Sequence, residues 1–498
     1  MKVILSKKEA QLIDRLAIKE KYITKSKLMD NAGRLSAQFF LEKIKNPFNK
    51  KVLVLAGKGD NGGDAIIMHH YMREYGIDSK LYIFHPQSSK SLIKRYNISK
   101  RHIILSDKEI SFNNYHWFVD GVFGIGLNRE IKNPYKKIIK LLNEKKVISL
   151  DIPSGIDCNK GLPLSNDYIS PKYVLSMGYY KYANLINEGK VTFNNTFLLD
   201  IGLPSAEASN VSLVDFRSIK KIIKKDKPLR NKYNQSCSAI IGSEQYPGAG
   251  LLSVSSALST GAGYIKSIIP SKLSDIYSSV IESVNYSIGK KGYLSISDYS
   301  SILEADILYK KSSLLIGPGL GDKKTTINLV SKLFKYLKNK DNKCILDASA
   351  FEPLYQGFKI SDLPKKCILT PHLGEFKKIF PDIDIQDPIN ACKKAQKRLG
   401  SRVLILKGPF NIILNSTGQL YIINNGNSLL ATAGSGDVLS GIILGLLSKG
   451  YNIDKAAILG VYIHGLCSKD YAKEHSKFSM PAHKIVEILP SVLNEIFS

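Results

Sequence analysis

Short apolar runs recur through this chain; those of the first half close on loops rich in Gly, Pro or Asn, and stretches of helical periodicity lie between the runs. In the first half they are residues 52–56, 80–84, 117–120 and 147–151; in the second, 238–242, 313–317, 343–347 and 403–407. Runs this short and this apolar suit strands covered on both faces, and parallel strands need a crossover segment, usually a helix. The pattern predicts an α/β architecture with helices on both faces of parallel sheets. Helical periodicity is expected over 6–45, broken near Thr24, and around 64–76, 250–262 and 386–399.

A chain of 498 residues has room for two or three domains. Between 205 and 230 charge rises and apolar periodicity fades, which divides the chain into a domain over 1–215, a basic linker over 216–228 and a domain over 229–498. The six cysteines, Cys158, Cys237, Cys344, Cys367, Cys392 and Cys467, are scattered without close pairing. That spacing argues against a disulfide framework or a zinc site and fits a reducing cytoplasm. No run is long and apolar enough to span a bilayer, and the first ten residues turn polar too soon for a signal peptide. The formal net charge of +28 favours anionic partners. Lysine is abundant throughout, however, and the densest basic run, 220–232, falls mostly in the expected linker, so neither specific nucleic acid nor membrane is an expected partner.

In the first half, Gly57-Lys-Gly-Asp-Asn-Gly-Gly-Asp64 follows a strand and opens a helix. It satisfies a G-x-G-x-x-G spacing, yet the second strand ends Ile83-Phe84-His85-Pro86 without the carboxylate a dinucleotide domain places on a ribose. The loop instead offers oxygens from Asp60, Asn61 and Asp64. Asp120 stands before a second glycine-rich turn, and Asp151 and Ser154 before a third. Loops at the carboxyl ends of parallel strands share one crevice. There Asn61, Asp120 and Ser154 supply oxygen ligands for a hard cation, and Asp151 an acid–base group.

These motifs, Asp60-Asn-Gly-Gly-Asp64, Asp120 to Gly126 and Asp151-Ile-Pro-Ser-Gly155, together with Leu28-Met-Asp-Asn-Ala-Gly33, resemble the NAD(P)H-hydrate epimerase family over roughly residues 5–205. The resemblance implies a Rossmann-like three-layer fold and potassium at Asn61, Asp120 and Ser154. It also implies substrate contacts from Asp60, Asn61, Gly62, Gly63, Asp64, Gly124, Ile125, Gly126, Leu127, Asn128, Arg129, Glu130 and the catalytic Asp151. Asp60 stands where Asn is frequent and Ile125 where Thr is usual.

The second half carries Gly434-Ser-Gly-Asp437 ahead of a long apolar helix. Free amides at a helix N-terminus form an anion hole. A carboxylate inside one makes sense as a base that deprotonates a hydroxyl while the turn holds a phosphoryl group in transfer. Gly317-Pro-Gly-Leu-Gly321, His372 and Glu375 in 369–376, Lys407-Gly408 at a strand end and Asn425-Gly-Asn427 stand out besides. With Leu346-Asp-Ala348, Tyr246-Pro-Gly-Ala-Gly250 and His464-Gly465 they resemble the ribokinase-like fold, and within it the NAD(P)H-hydrate dehydratase family, from about residue 228 onward. This implies catalysis by Asp437, hydrate contacts from Ala249, Gly319, His372 and Asp437, and nucleotide contacts from Lys407, Gly408, Pro409, Phe410, Asn411 and Gly436. Asn231, Ser349, Cys237 and Ser238 depart from that family's pattern.

The two resemblances together imply repair of hydrated nicotinamide nucleotides, NADHX and NADPHX. One half would interconvert R and S hydrates; the other would return the S form to NAD(P)H, converting ADP to AMP and phosphate, with Mg2+. A homo-oligomer is expected. The rival reading is a hydroxymethylpyrimidine- or thiazole-type small-molecule kinase with a non-catalytic, RNA-binding first half.

Overall fold

The computed structural model describes residues 1–206, 209–224, 235–305 and 312–497. Asn231 and the end of the expected linker lie outside the described residues. The chain forms two compact units, Val3–Val211 and Ser212–Ser498, the latter with Met1–Lys2.

The strands of the first part are β1 (Lys2–Leu5), β2 (Lys51–Ala56), β3 (Asp78–Ile83), β4 (Ile103–Ile104), β5 (Trp117–Gly121), β6 (Val147–Leu150), β7 (Tyr173–Met177), β8 (Tyr180–Lys181) and β9 (Thr196–Leu199). Seven of them form one parallel sheet in the order β4-β3-β2-β5-β6-β7-β9. The order reverses between β2 and β5, so a crevice opens at the carboxyl ends of those strands. The helical pattern over 6–45 is two helices, Lys7–Lys19 and Lys25–Lys43, and the hydroxyl of Thr24 caps the second. The helix expected at 64–76 begins four residues earlier, at Asp60, with Gly59 as its cap. The glycine loop is therefore partly the first turn of the helix. Its glycines permit close approach: a Cβ on Gly57 would lie 2.0 Å from the Val122 carbonyl oxygen, and one on Gly62 2.0 Å from that of Gly57.

The remaining strands are β10 (Val211–Leu213), β11 (Ser236–Ile240), β12 (Tyr264–Pro270), β13 (Ser283–Ile288), β14 (Ser313–Ile316), β15 (Lys343–Leu346), β16 (Cys367–Leu369), β17 (Val403–Leu406), β18 (Asn411–Leu414) and β19 (Leu420–Ile423). They run in the order β13-β12-β11-β14-β15-β16-β17-β18-β19-β10, parallel from β13 to β17 and then antiparallel through β18 and β19. The helix Ser435–Ser448 is buried from Val438 onward and packs on the helix Pro247–Ser259. Glycine permits the contact: a Cβ on Gly441 would sit 2.1 Å from the Ser253 carbonyl oxygen.

One expectation fails at the junction. Residues 216–228 read as a solvated linker, but Phe216–Ile222 is a helix capped by Asp215. Ile219 and Ile222 are buried; two apolar positions three apart on one side hold the segment down while its lysines remain outside. The departures Cys237 and Ser238 are buried within β11, and Ser349 accepts a hydrogen bond from the Gly321 amide at 3.0 Å.

Candidate active sites

At the β2–β5 crevice the cation-ligand candidates converge on the backbone of Phe123. The Asn61 amide donates to the Phe123 carbonyl at 3.0 Å, and the Ser154 hydroxyl meets the Phe123 amide at 2.9 Å and its carbonyl at 3.2 Å. Asp120, fully buried at the end of β5, accepts from the Ser154 hydroxyl at 2.6 Å, the Ser154 amide at 2.9 Å, Ser149 at 2.8 Å and the Val122 amide at 3.2 Å. Burial pushes its carboxyl above the ordinary range, against the pull of those hydrogen bonds. The side-chain oxygen of Asn61 is buried with no hydrogen-bond partner. An orphaned carbonyl oxygen beside a carboxylate, a hydroxyl and a backbone carbonyl is a donor set for a hard cation.

Asp151 follows β6 with φ at +65°, a left-handed conformation that is uncommon for a residue with a side chain. The fold holds it there: its amide donates to Leu175 O at 2.7 Å and its carbonyl accepts from Asn184 Nδ2 at 3.2 Å. Its carboxylate takes a short salt bridge from the buried Lys181 ammonium, which also donates to the Met177 carbonyl at 2.7 Å. Lys181 and Asn184 carry no recognisable motif; Lys181 comes from β8, which pairs in parallel with β1, and Asn184 from the 3-10 turn that follows.

A cavity of about 1270 Å³ opens over this centre. Asp60, Asn61, Asp64, Gly124, Ile125, Gly126, Leu127, Asn128, Arg129, Glu130 and Asp151 all line it. Gly62 and Gly63 are buried in the first helical turn instead, where a Cβ on Gly63 would strike Met29. Asp60 is exposed and pairs with Lys25 at 2.7 Å. Burial pushes Asp64 well above the ordinary carboxylate range. The cavity is also lined by Asp14 and Tyr135, neither of which the sequence marked.

In the second unit Gly434 turns into the helix with φ at +88°, a conformation glycine adopts without strain. The first intrahelical bond is Val438 N to Gly434 O at 3.1 Å, so the amides of Gly436 and Asp437 precede the hydrogen-bonded ladder. Burial, reinforced by Asp347 and opposed by Lys407, pushes the Asp437 carboxyl up to about 7. A Cβ on Gly436 would stand 3.1 Å from the Lys407 ammonium, which places that cation at the mouth of the turn.

Lys407 is held there by Asp347, whose Oδ1 accepts from Lys407 at 2.9 Å and from Thr370 at 2.7 Å, and whose Oδ2 accepts from Ser440 at 2.6 Å. Burial pulls the Lys407 ammonium down, but Asp347, Glu375 and Asp437 outweigh it and the net shift is upward. Spacing alone hid this brace, because its members come from four separate segments. His372 caps the helix Leu373–Ile379: its Nδ1 accepts from the Gly374 amide at 3.0 Å, and its own amide donates to Glu375 Oε2 at 2.8 Å. The ring is otherwise exposed, and the Lys407 amide donates to neighbouring Pro371 O at 2.9 Å, so the His372 loop adjoins the Lys407 strand end. Gly408 and Pro409 form the turn from β17 to β18, Phe410 is buried, and Asn411 begins β18. Gly319 packs on the Tyr246 carbonyl beside Ala249. His464 is buried with its Nε2 unpartnered, and burial pulls its imidazole down to about 4.

A family model described as NAD(P)H-hydrate dehydratase matches residues 238–491, and one described as YjeF-related protein N-terminus matches residues 25–183. The bifunctional NAD(P)H-hydrate repair enzyme Nnr of Dictyoglomus turgidum is 32% identical over 522 residues, covering 100% of this chain and 99% of the relative. Its namesake from Thermofilum pendens is 28% identical over 515 residues, covering 98% and 95%. A ribokinase-like superfamily protein of Enterococcus faecalis shares the fold of the second half, at 24% identity and a TM-score of 0.51 over 59% of this chain and 99% of that one. Two family matches, each falling on one of the two constellations, and a relative matched end to end carry one conclusion: this chain belongs to the bifunctional NAD(P)H-hydrate repair enzymes, which join an epimerase to a dehydratase.

Proposed function

We propose that each half of the repair runs on one carboxylate, Asp151 in the first unit and Asp437 in the second, with ADP as the phosphoryl donor. Water adds to the reduced nicotinamide ring with the polarity of an enamine: the proton goes to C5 and the hydroxyl to C6, beside the ring nitrogen. The C6 hydroxyl is a poor leaving group. Asp437 takes its proton, the oxygen attacks the terminal phosphorus of ADP, and AMP departs. The Gly434–Gly436 turn and Lys407 hold the charge of the group in flight. The phosphate then leaves C6 as C5 loses its proton, and the ring double bond is restored. The observation that carries this reading is Asp437 itself, a base tuned to about 7 within an anion hole, with a lysine ammonium at its mouth.

The epimerase is assigned to 1–215 and the dehydratase to 229–498. Asp60, Asn61, Asp64 and 124–130 would contact the hydrate over Asp151. Ala249, Gly319 and His372 would seat it near Asp437, and Lys407 to Asn411 with Gly436 the nucleotide. Potassium would be held by Asn61, Asp120 and Ser154, and the unpartnered Asn61 oxygen supports that. The ion would supply fixed positive charge that pins the β2 and β5 loops together. Mg2+ would travel with the nucleotide phosphates, as it does where few protein carboxylates bind it. A homo-oligomer and a cytoplasmic location belong to the same reading, the latter supported by six free, buried cysteines. The test is stoichiometry: purified protein given S hydrate and ADP should form AMP, phosphate and NAD(P)H in step. A stable phosphorylated hydrate would favour a kinase instead.

A further inference from the structure

The cavity of the first unit holds a carboxyl group without a task so far. Asp14 lies on the helix Lys7–Lys19 and lines the same cavity as Asp151 and Lys181. That helix is firmly placed. Ser6 and Glu9 close a capping box at its start, the Lys7 amide donates to Asn159 at 2.8 Å, and the Lys7 ammonium donates to the Gly126 carbonyl at 3.0 Å. Among the described residues nothing hydrogen-bonds to the Asp14 carboxyl. The charged groups facing it are Lys181, Asp151, Asp60 and Lys25, with Asp64 and Arg15 also on the cavity wall.

The two carboxyls sit in opposite settings. Asp151 is clasped by the buried Lys181 ammonium. Asp14 is sunk in the wall without such a clasp, and burial, opposed by Lys181 but helped by Asp151 and Asp60, pushes it up to about 6. A carboxyl paired with an ammonium and a second one left without a hydrogen-bond partner, on the wall of one cavity, suit a base and an acid.

Inversion at C6 by ring opening uses both. We infer that Asp14 is the second acid–base group of the epimerase, donating a proton to the ring nitrogen while Asp151 removes the hydroxyl proton. This rests on the assignment of Asp151 as base. The C6–O bond becomes a carbonyl, the C6–N1 bond breaks with its electron pair going to nitrogen, and the Asp14 proton satisfies that nitrogen. Rotation about C5–C6 presents the opposite face of the aldehyde. Nitrogen re-attacks, its proton returns to Asp14, and the oxygen recovers its proton from Asp151. Every atom is restored and no other reactant is consumed.

The test follows conversion of R hydrate to S by chromatography on the full chain, without nucleotide and with the spontaneous rate subtracted. In the parent, kcat/KM should fall about tenfold per pH unit above about pH 6, as the acid form of Asp14 is lost. Asp14→Asn should lower kcat/KM at least about 100-fold and abolish that limb, while the first unit melts as in the parent, which shows that it is folded. Asp14→Glu should restore part of the rate with a displaced limb. A parental rate in Asp14→Asn overturns the inference, and so does a slower rate that keeps the parental limb, since that marks a structural role. Asp151→Asn separates the two assignments. If it is inactive while Asp14→Asn is not, only Asp14 was misassigned; if it retains the parental rate, the base assignment falls and the inference with it.

Discussion

Asp437→Asn should trade activity for stability, and the trade is calculable. The carboxyl stands at about 7 against an ordinary value of 3.8, driven first by burial and then by Asp347. A folded-state value above the unfolded one means the folded chain holds the proton more tightly. Its contribution to stability is complete below pH 3.8 and is lost as pH rises through about 7. Fully ionised, the group costs a ceiling of about 4 kcal/mol. Asp437 is part-exposed, so roughly half of that, ~2 kcal/mol, is expected. The asparagine variant carries no such cost. It should match the parent at pH 4 and exceed it by ~2 kcal/mol at pH 8, or about 4 °C in the melting of the second unit. The dehydratase rate of the parent should climb through pH 7 as the base ionises, and the variant should lose about 10²–10⁴-fold while still binding ADP. Urea titrations at pH 4 and pH 8 beside a steady-state rate measure both halves. A variant with no pH-dependent gain refutes the burial argument; one that keeps the parental rate refutes the base.

Asp151→Asn should abolish epimerisation, by about 10²–10⁴-fold, and leave ADP-dependent dehydration of the S hydrate intact; loss of both activities would mean the substitution acts through the fold. Potassium should raise the melting temperature of the parent more than sodium does, and Ser154→Ala or Asn61→Leu should erase the difference; equal responses to both ions count against the site. Lys407→Met should leave the buried Asp347 carboxylate with Thr370 and Ser440 as its side-chain partners among the described residues, costing about 3 kcal/mol in urea unfolding, and should raise the KM for ADP. An unchanged KM removes Lys407 from the nucleotide site.

Much of this fold was legible because buried parallel strands leave a plain mark. The runs at 52–56, 313–317 and 403–407 are β2, β14 and β17 to within a residue. The edge strand β13 was not: Ile288 alone of its six positions is buried, so it lacks the doubly covered apolar run. The basic stretch after 215 misled because its lysines outnumber the two isoleucines that anchor it. At the sites, residues in strand-end loops were found from their turn chemistry, as Asp120, Asp151 and the Gly434 turn show. Lys181, Asn184 and Asp14 reach the same centre from a short strand, a short 3-10 turn and a helix face, where nothing local separates them from ordinary lysine, asparagine and aspartate. The Asp347–Lys407 brace was hidden for the same reason, since pairing across 60 residues is a property of the sheet order.

The central claim is that one chain repairs both epimers, and one trace of absorbance at the reduced-nicotinamide band tests it. An equal mixture of R and S hydrates is incubated with the purified protein, potassium, Mg2+ and ADP, fast enough that spontaneous epimerisation contributes little. Recovery should proceed to the whole pool, with AMP formed mole for mole, and in Asp151→Asn the enzymatic phase should stop at half. Recovery that halts at half in the parent, or that reaches completion at the same rate in Asp151→Asn, would contradict the account.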